Sequence, residues 1–347
     1  VKSYQDNILD LINELKKDKH IIVILAYNLG SSQEIKNYDN AFFLNLGYLK
    51  YINSIDIFLS SYVVYEFPNS LNRVYIAHDI YDTPWVKPEI ERDLFTALNK
   101  YNHIFLPSDI AISDLQKKIN KHTKNHFDNK QLRLINTGYL KLDHVYKKLR
   151  NNSAIEDSIL LAPTLSSMLE NYNLNNFLES IIVELLKNSN FKVIYRPHPV
   201  DKNDKKNNFI RNIYLKFKNE KNFFLDDNTS YMKSYARSKI LVTDFSGTAY
   251  TYAFSKLRPI IFFSKNEEEL MKSNFKDLFY FKDRLNVGKI VKDFNNLNEE
   301  IHSIDGKIKV YEDKIRILRS ERIKFFKNSI EQNLINLKKI LNNKTSK

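Results

Sequence analysis

The sequence predicts an α/β protein of two Rossmann-like, doubly wound domains, and three observations carry that prediction. Short apolar runs alternate along the chain with amphipathic helical patterns. The runs are apolar throughout rather than at every second residue, as expected of parallel strands covered by helices on both faces. Finally, 347 residues suffice for two ordinary domains, each with its own core.

In the first half the strand-like runs are IIVILAYN (21–28), DIFLSS (56–61), RVYIAH (73–78), HIFLP (103–107) and LRLINTG (132–138). Helical patterns lie between them, at 88–100 and 108–120. KKLRNNSAIEDS (147–158) is polar, breaks this rhythm, and reads as the linker between a domain at 1–150 and a second at 151–306. The second half repeats the pattern with SILLAP (158–163), FKVIYR (191–196), NFFL (222–225), KILVTD (239–244) and PIIFF (259–263). Helical patterns at 167–188 and 229–237 separate these runs. Residues 307–347 read as one long helical tail with Ile, Leu and Phe spaced among Lys and Arg. A helix packed along the domains accounts for it, and so does contact with an anionic membrane surface. Two such domains enclose a cleft, and open parallel sheets bind ligands at the carboxyl ends of their strands.

The formal net charge is +13, which favours anionic partners, although lysines scattered over a surface produce the same balance. No RNP pattern, GXXG loop or zinc-finger spacing is present, so no nucleic-acid partner is expected. The chain has no cysteine, which excludes disulfides and thiolate metal sites and fits a reducing compartment. Its longest apolar runs, such as IIVILAY, fall far short of the ~20 residues that span a bilayer. With no secretory signal at the start, a cytoplasmic protein is expected, at most peripheral to the inner face of the membrane. Residue 1 is Val, which fits a processed chain or a piece of a longer one.

Chemistry is expected where strands end. FKVIYR closes on Arg196-Pro197-His198-Pro199, a planar fork of donors beside an imidazole, suited to phosphate. An exposed basic turn accounts for the same residues. KILVTD continues as Asp244-Phe245-Ser246-Gly247-Thr248 into a helix, where backbone amides and hydroxyls form an anion site. Ordinary N-capping competes with that reading, but Gly247 also suggests close approach of backbone to a ligand. SILLAP runs into Thr164 with the same two readings. RVYIAH ends in His78-Asp79, with Asp82 close behind. This is a candidate general base with Asp79 and Asp82 as acceptor-side or orienting carboxylates, against the simpler reading of a loop histidine. Asp226-Asp227 reads as a helix cap. HExxH, G-x-G-x-x-G, Walker and G-x-S-x-G motifs are absent, and neither a metal nor a cofactor is expected.

Taken in order, four segments resemble the CDP-glycerol glycerophosphotransferase family, the teichoic acid and capsule polymerases. TGYLKLD (137–143) is similar to its TG-x-P-R-x-D, and ILLAPT (159–164) to its I-L-Y-A-P-T. YRPHP (195–199) is similar to its K/R-x-H-P. ILVTDFSGTAYTYAFSKLRPIIFF (240–263) is similar to its L-I-T-D-Y-S-S, followed by a helix and K/R-P-I-I-F. The resemblance covers roughly residues 73–263 and implies a GT-B fold with the donor site in the second domain. It implies His78 as catalytic base and His198 as a ligand of the donor phosphates. Ser246 would hold phosphate, with Asp244 supporting the turn. Thr164, Arg196, Gly247 and Thr248 complete the implied donor site. Two departures stand out. DIYDTP follows His78 where the family has GTP, and Gly247 stands where the family usually has a second serine.

The implied reaction is transfer of glycerol phosphate, or a related polyol phosphate, from a CDP-activated donor to a hydroxyl of a capsular or teichoic-acid-like polymer. CMP leaves, and CDP-glycerol or another CDP-polyol serves as substrate rather than cofactor. The implied partners are that donor and an anionic polymer acceptor, within what is expected to be part of a larger multidomain polymerase. The competing expectation is a GT-B glycosyltransferase that uses a nucleotide sugar.

Overall fold

A computed structural model describes residues 8–27, 42–52, 54–81, 94–122, 131–152, 154–188, 190–203, 208–272 and 274–342. These fall into two units. The first takes the described residues up to His78, those from 94 to His144, and those from Ile323 onward. The second takes Asp79 to Tyr81 and Val145–Arg322.

In the first unit α1 (Leu9–Leu15) precedes a parallel pair, β1 (Ile24–Tyr27) and β2 (Phe42–Asn45). A four-stranded parallel sheet follows, in the order β3 (Ile55–Ser60), β4 (Ser70–Ile76), β5 (His103–Leu106), β6 (Arg133–Asn136). Alternation along β5 divides the core. Ile104 and Leu106 pack with Leu115 and Ile119 of α2 (Asp109–His122) on one face. Phe105 packs on the other face with Val74, Ile76 and Leu11. Both faces are covered, as apolar strands require.

The second unit is a six-stranded parallel sheet. Its strands are β7 (Ser158–Leu161), β8 (Lys192–Tyr195), β9 (Phe223–Leu225), β10 (Ser238–Thr243), β11 (Ile260–Phe263) and β12 (Gly288–Val291). Their spatial order is β12-β11-β10-β7-β8-β9, the Rossmann order 3-2-1-4-5-6 counted from β7. Every residue of β7 and β11 is buried, which explains their unbroken apolar sequence. β2 and β12 were not foreseen, because FFLN and GKIV are runs of only four residues with no period of their own. The helical pattern expected at 167–188 is shorter: 3₁₀ turns at Glu170–Tyr172 and Leu174–Phe177 precede the α-helix Leu178–Leu186.

The expected linker and tail are arranged differently. α3 (Leu140–Arg150) runs through the start of the polar stretch, and the units divide within that helix, between His144 and Val145. The tail is two helices, Ile308–Arg322 in the second unit and Ser329–Asn342 in the first. Leu337 and Ile340 of the last helix enter the β4–β5 core. The break follows from the TGYLKLD segment. Asp143 accepts hydrogen bonds from the amides of Lys327 (2.7 Å) and Ser329 (3.0 Å) and from the Ser329 hydroxyl. Gly138, at φ +78°, leaves room for Phe325 and Ser329; a β-carbon there would stand 3.0 Å from the β-carbon of each. Among the described residues no helix is long and apolar enough to cross a membrane.

Asp143 is thus an N-terminal cap supplied from a distant helix. Asp143→Ala is expected to weaken docking of Ser329–Asn342 by about 2 kcal/mol. The readout is faster amide exchange confined to that helix and the β4–β5 face beneath it. Asp143→Asn, which keeps one acceptor oxygen, is expected to lose less.

Candidate functional site

Strands β7 and β10 are neighbours in register, with Leu160 beside Leu241 and Leu161 beside Val242. From β7 the chain proceeds to β8 and β9 on one side, and from β10 to β11 and β12 on the other. This reversal opens a crevice at the carboxyl ends of the strands. Thr164 lies just beyond β7, and Asp244 through Gly247 lie just beyond β10.

Asp244 joins the two strand ends. Its Oδ1 accepts from the amide of Thr164 (3.0 Å) and its Oδ2 from that of Leu174 (3.1 Å). Thr243 adds a hydroxyl bond to the Ala162 carbonyl at 2.6 Å. Burial pushes the Asp244 carboxyl up to about 6, against the pull of the surrounding backbone amides. Two further aspartates repeat the device. Asp201, in the short helix Pro199–Asn203 that follows His198, accepts from the Ser166 amide at 2.9 Å and the Ser166 hydroxyl at 2.6 Å. Asp226, after β9, accepts from Nη1 of Arg196 at 2.6 Å. Arg196 also donates to the carbonyls of Asn228 (3.1 Å) and Thr229 (3.2 Å). The guanidinium expected to grip phosphate is therefore a brace between the β8 and β9 ends.

His198 follows β8 and is half-buried. The Val200 amide donates to its Nδ1 at 3.3 Å. Burial lowers its pKa, with Asp201 opposing in part, so the ring is neutral near pH 7. With Nδ1 accepting, the proton resides on Nε2, which becomes a donor.

Ser246 and Thr248 stand at the start of the helix Thr248–Lys256. The Thr248 amide lies 3.4 Å from Ser246 Oγ, a long capping contact. The Ser246 carbonyl accepts from the Tyr280 hydroxyl at 3.0 Å. The Thr248 hydroxyl is engaged by the Tyr235 phenol at 2.5 Å. Gly247 lies against Asp79: a β-carbon at 247 would stand 2.8 Å from Asp79 Oδ1.

His78 lies in the first unit, after β4. Its Nδ1 is 3.1 Å from the Tyr75 hydroxyl, and its carbonyl accepts from the Tyr139 hydroxyl at 2.5 Å. The orienting group seen at the ring is thus a phenol three residues earlier on the same strand. Asp79 belongs to the second unit, and Asp82 lies outside the described residues. Sequence reasoning missed Tyr75, Asp201, Tyr235 and Tyr280 as partners. The regular spacing of RVYIAH could have flagged Tyr75, whereas the other contacts depend on the tertiary fold.

Hydroxyls, a helix start and a neutral histidine donor thus stand at the switch point of a Rossmann-type sheet, the place where open α/β sheets bind ligands. Comparison with known proteins narrows the class. Residues 89–337 match the family described as CDP-glycerol:poly(glycerophosphate) glycerophosphotransferase, and the chain belongs to that family. The match includes His198 and Asp244–Thr248, whereas His78 and Asp79 precede it. The minor teichoic acid biosynthesis protein GgaB of Bacillus subtilis (strain 168) is 23% identical over 252 residues, 60% of this chain. The chain spans about a quarter of the length of that curated relative, 25%. A solved chain of the wall teichoic acid polymerase TagF superposes with a TM-score of 0.64 at 16% identity, over 99% of this chain and 87% of that one. The UDP-GlcNAc 2-epimerase of Neisseria meningitidis shares the fold at a TM-score of 0.58 and 12% identity, over 98% of each chain.

Asp244 yields a pH test. Its carboxyl titrates at about 6 in the fold against an ordinary 3.8, so the folded protein holds this proton more tightly than the unfolded chain. The resulting stabilisation is complete below about pH 4 and is lost as pH rises through about 6. Unfolding monitored on the second unit is expected to show falling stability across that window, and Asp244→Asn is expected to flatten the slope while lowering stability overall.

Proposed function

We infer that the protein transfers glycerol phosphate, or a closely related polyol phosphate, from a CDP-activated donor to a hydroxyl of a polyol-phosphate polymer. The observation that carries this reading is family membership across residues 89–337, a stretch that contains the switch-point loops. The finer fold reading that accompanies it is GT-B, with one Rossmann-like unit for the donor and the other for the acceptor. The net charge of +13 suits a polyanionic acceptor and a peripheral place at the inner face of a membrane.

An acceptor hydroxyl oxygen attacks the distal phosphorus of the donor. The bond from that phosphorus to the bridging oxygen breaks, CMP departs, and a new phosphodiester forms. The hydroxyl proton passes to Nε2 of His78, the ring nitrogen that carries the lone pair when Nδ1–H donates to the Tyr75 oxygen, 3.1 Å away. Negative charge grows on the departing phosphate. The Nε2–H of His198, the Ser246 hydroxyl and the amides at the start of the Thr248–Lys256 helix are the groups assigned to that charge. Arg196, engaged by Asp226, acts by holding the β8 and β9 ends in place.

The experiment is incubation with CDP-glycerol and a polyol-phosphate acceptor, following CMP release and new phosphodiester signals by phosphorus NMR. His78→Ala and His198→Ala are each expected to lower turnover about 10²- to 10⁴-fold with folding intact. Turnover with a sugar nucleotide, and none with any CDP-polyol, would overturn the reading.

A further inference from the structure

Gly247 is one of only six glycines in the chain, yet its backbone does not require it. With φ −59° and ψ −19° it lies in the ordinary helical region. At a helix start, serine is preferred over most residues, and the resemblance places serine there. The nearest group that a side chain here would meet is the end of one side chain, which would have to shift. A β-carbon at 247 would stand 2.8 Å from Oδ1, 3.3 Å from Cγ and 3.5 Å from Oδ2 of Asp79. The other departure from the family pattern is this same Asp79, which follows His78 where the family has glycine. The two departures lie against each other, so glycine at 247 makes room for the carboxylate at 79.

Asp79 is held at this place. The residues after it, Ile80 and Tyr81, are buried in the second unit. The Tyr81 phenol donates to Asp283 at 2.5 Å, and Arg322 grips the same carboxylate at 2.8 and 3.0 Å. Tyr81 also packs edge-on against Tyr250, with ring centroids 4.5 Å apart. The Asp79 charge reaches Tyr280, where it is a minor contributor, behind burial, to the raised pKa of that phenol. Tyr280 in turn holds the Ser246 carbonyl at 3.0 Å. Asp79, Ser246, Gly247 and Tyr280 therefore form one cluster at the carboxyl end of β10.

The exchange alters the chemistry of the site. A serine hydroxyl can donate to a phosphate oxygen, whereas an ionised carboxylate only accepts and repels phosphate. The ligand group suited to Asp79 is a hydroxyl, best a pair of neighbouring hydroxyls. We propose that Asp79, accommodated by Gly247, is a specificity-determining residue that receives the hydroxyls of the polyol carried by the donor. Phosphate is left to His198 and Ser246. The proposal rests on the donor-site reading above and names which part of the donor this chain selects.

The test pairs CDP binding with donor preference. CDP carries the distal phosphate but lacks the polyol, so Asp79→Asn, which also removes a charge that repels phosphate, is expected to bind CDP no more weakly than wild type. The kcat/KM preference for CDP-glycerol over CDP-propanol, whose transferred group has no free hydroxyl, is expected to fall at least about tenfold. Gly247→Ser alone is expected to impair turnover, and Asp79→Gly in the same chain to rescue it while leaving the preference low. An unchanged preference in Asp79→Asn, or full activity of Gly247→Ser beside an intact Asp79, overturns the proposal. Failure of the wild-type protein to bind CDP overturns the donor-site reading, and the assignment of Asp79 falls with it.

Discussion

Asp244 carries a carboxylate into the buried end of β10, where its two oxygens take the amides of Thr164 and Leu174. A loop leaving a strand exposes amides that no sheet partner can satisfy, and leaving them unpaired costs about 1–3 kcal/mol each. Here one side chain satisfies two of them from a neighbouring strand. Asp201 repeats this for the amide of Ser166, and Asp226 instead takes the guanidinium of Arg196. The loops after β7, β8, β9 and β10 are thereby fixed to one another through side chains. A switch point offers only a gap between diverging connections, and these three carboxylates give that gap a defined lining.

Most of the second sheet was legible in the sequence, because its strands are buried on both faces and therefore apolar without interruption. SILLAP, FKVIYR, KILVTD and PIIFF each mark a real strand to within a few residues. GKIV did not, since an edge strand of four residues carrying a lysine has no distinctive pattern. The tail also resisted reading. Its helical periodicity is genuine on both sides of 323–328, and the break between them is imposed by Asp143, a residue 186 positions away from Ser329.

At the candidate site, sequence singles out residues without showing their partners in the fold. Strand-end logic selected His198, Asp244 and Ser246, and the structure puts all three on one unit around one crevice end. It could not tell that Arg196 faces Asp226, or that the Thr248 hydroxyl faces Tyr235. Both have the chemistry of an anion ligand, and both are engaged by groups that the fold brings from elsewhere in the chain. Gly247 suggests close approach of a ligand, and the group that lies against it in the fold is the side chain of Asp79.

The placement of the last helix has a bearing on synthesis. All strands of the second sheet lie within residues 158–291, an uninterrupted stretch of chain. The first sheet begins earlier but closes its core with Leu337 and Ile340. Emerging from a ribosome, the later-encoded unit has its whole core available while the earlier-encoded one still waits for its final helix. The usual amino-terminal-first order of domain completion therefore does not hold for the first unit, whose core is complete only once Leu337 and Ile340 have joined Leu11, Val74 and Phe105.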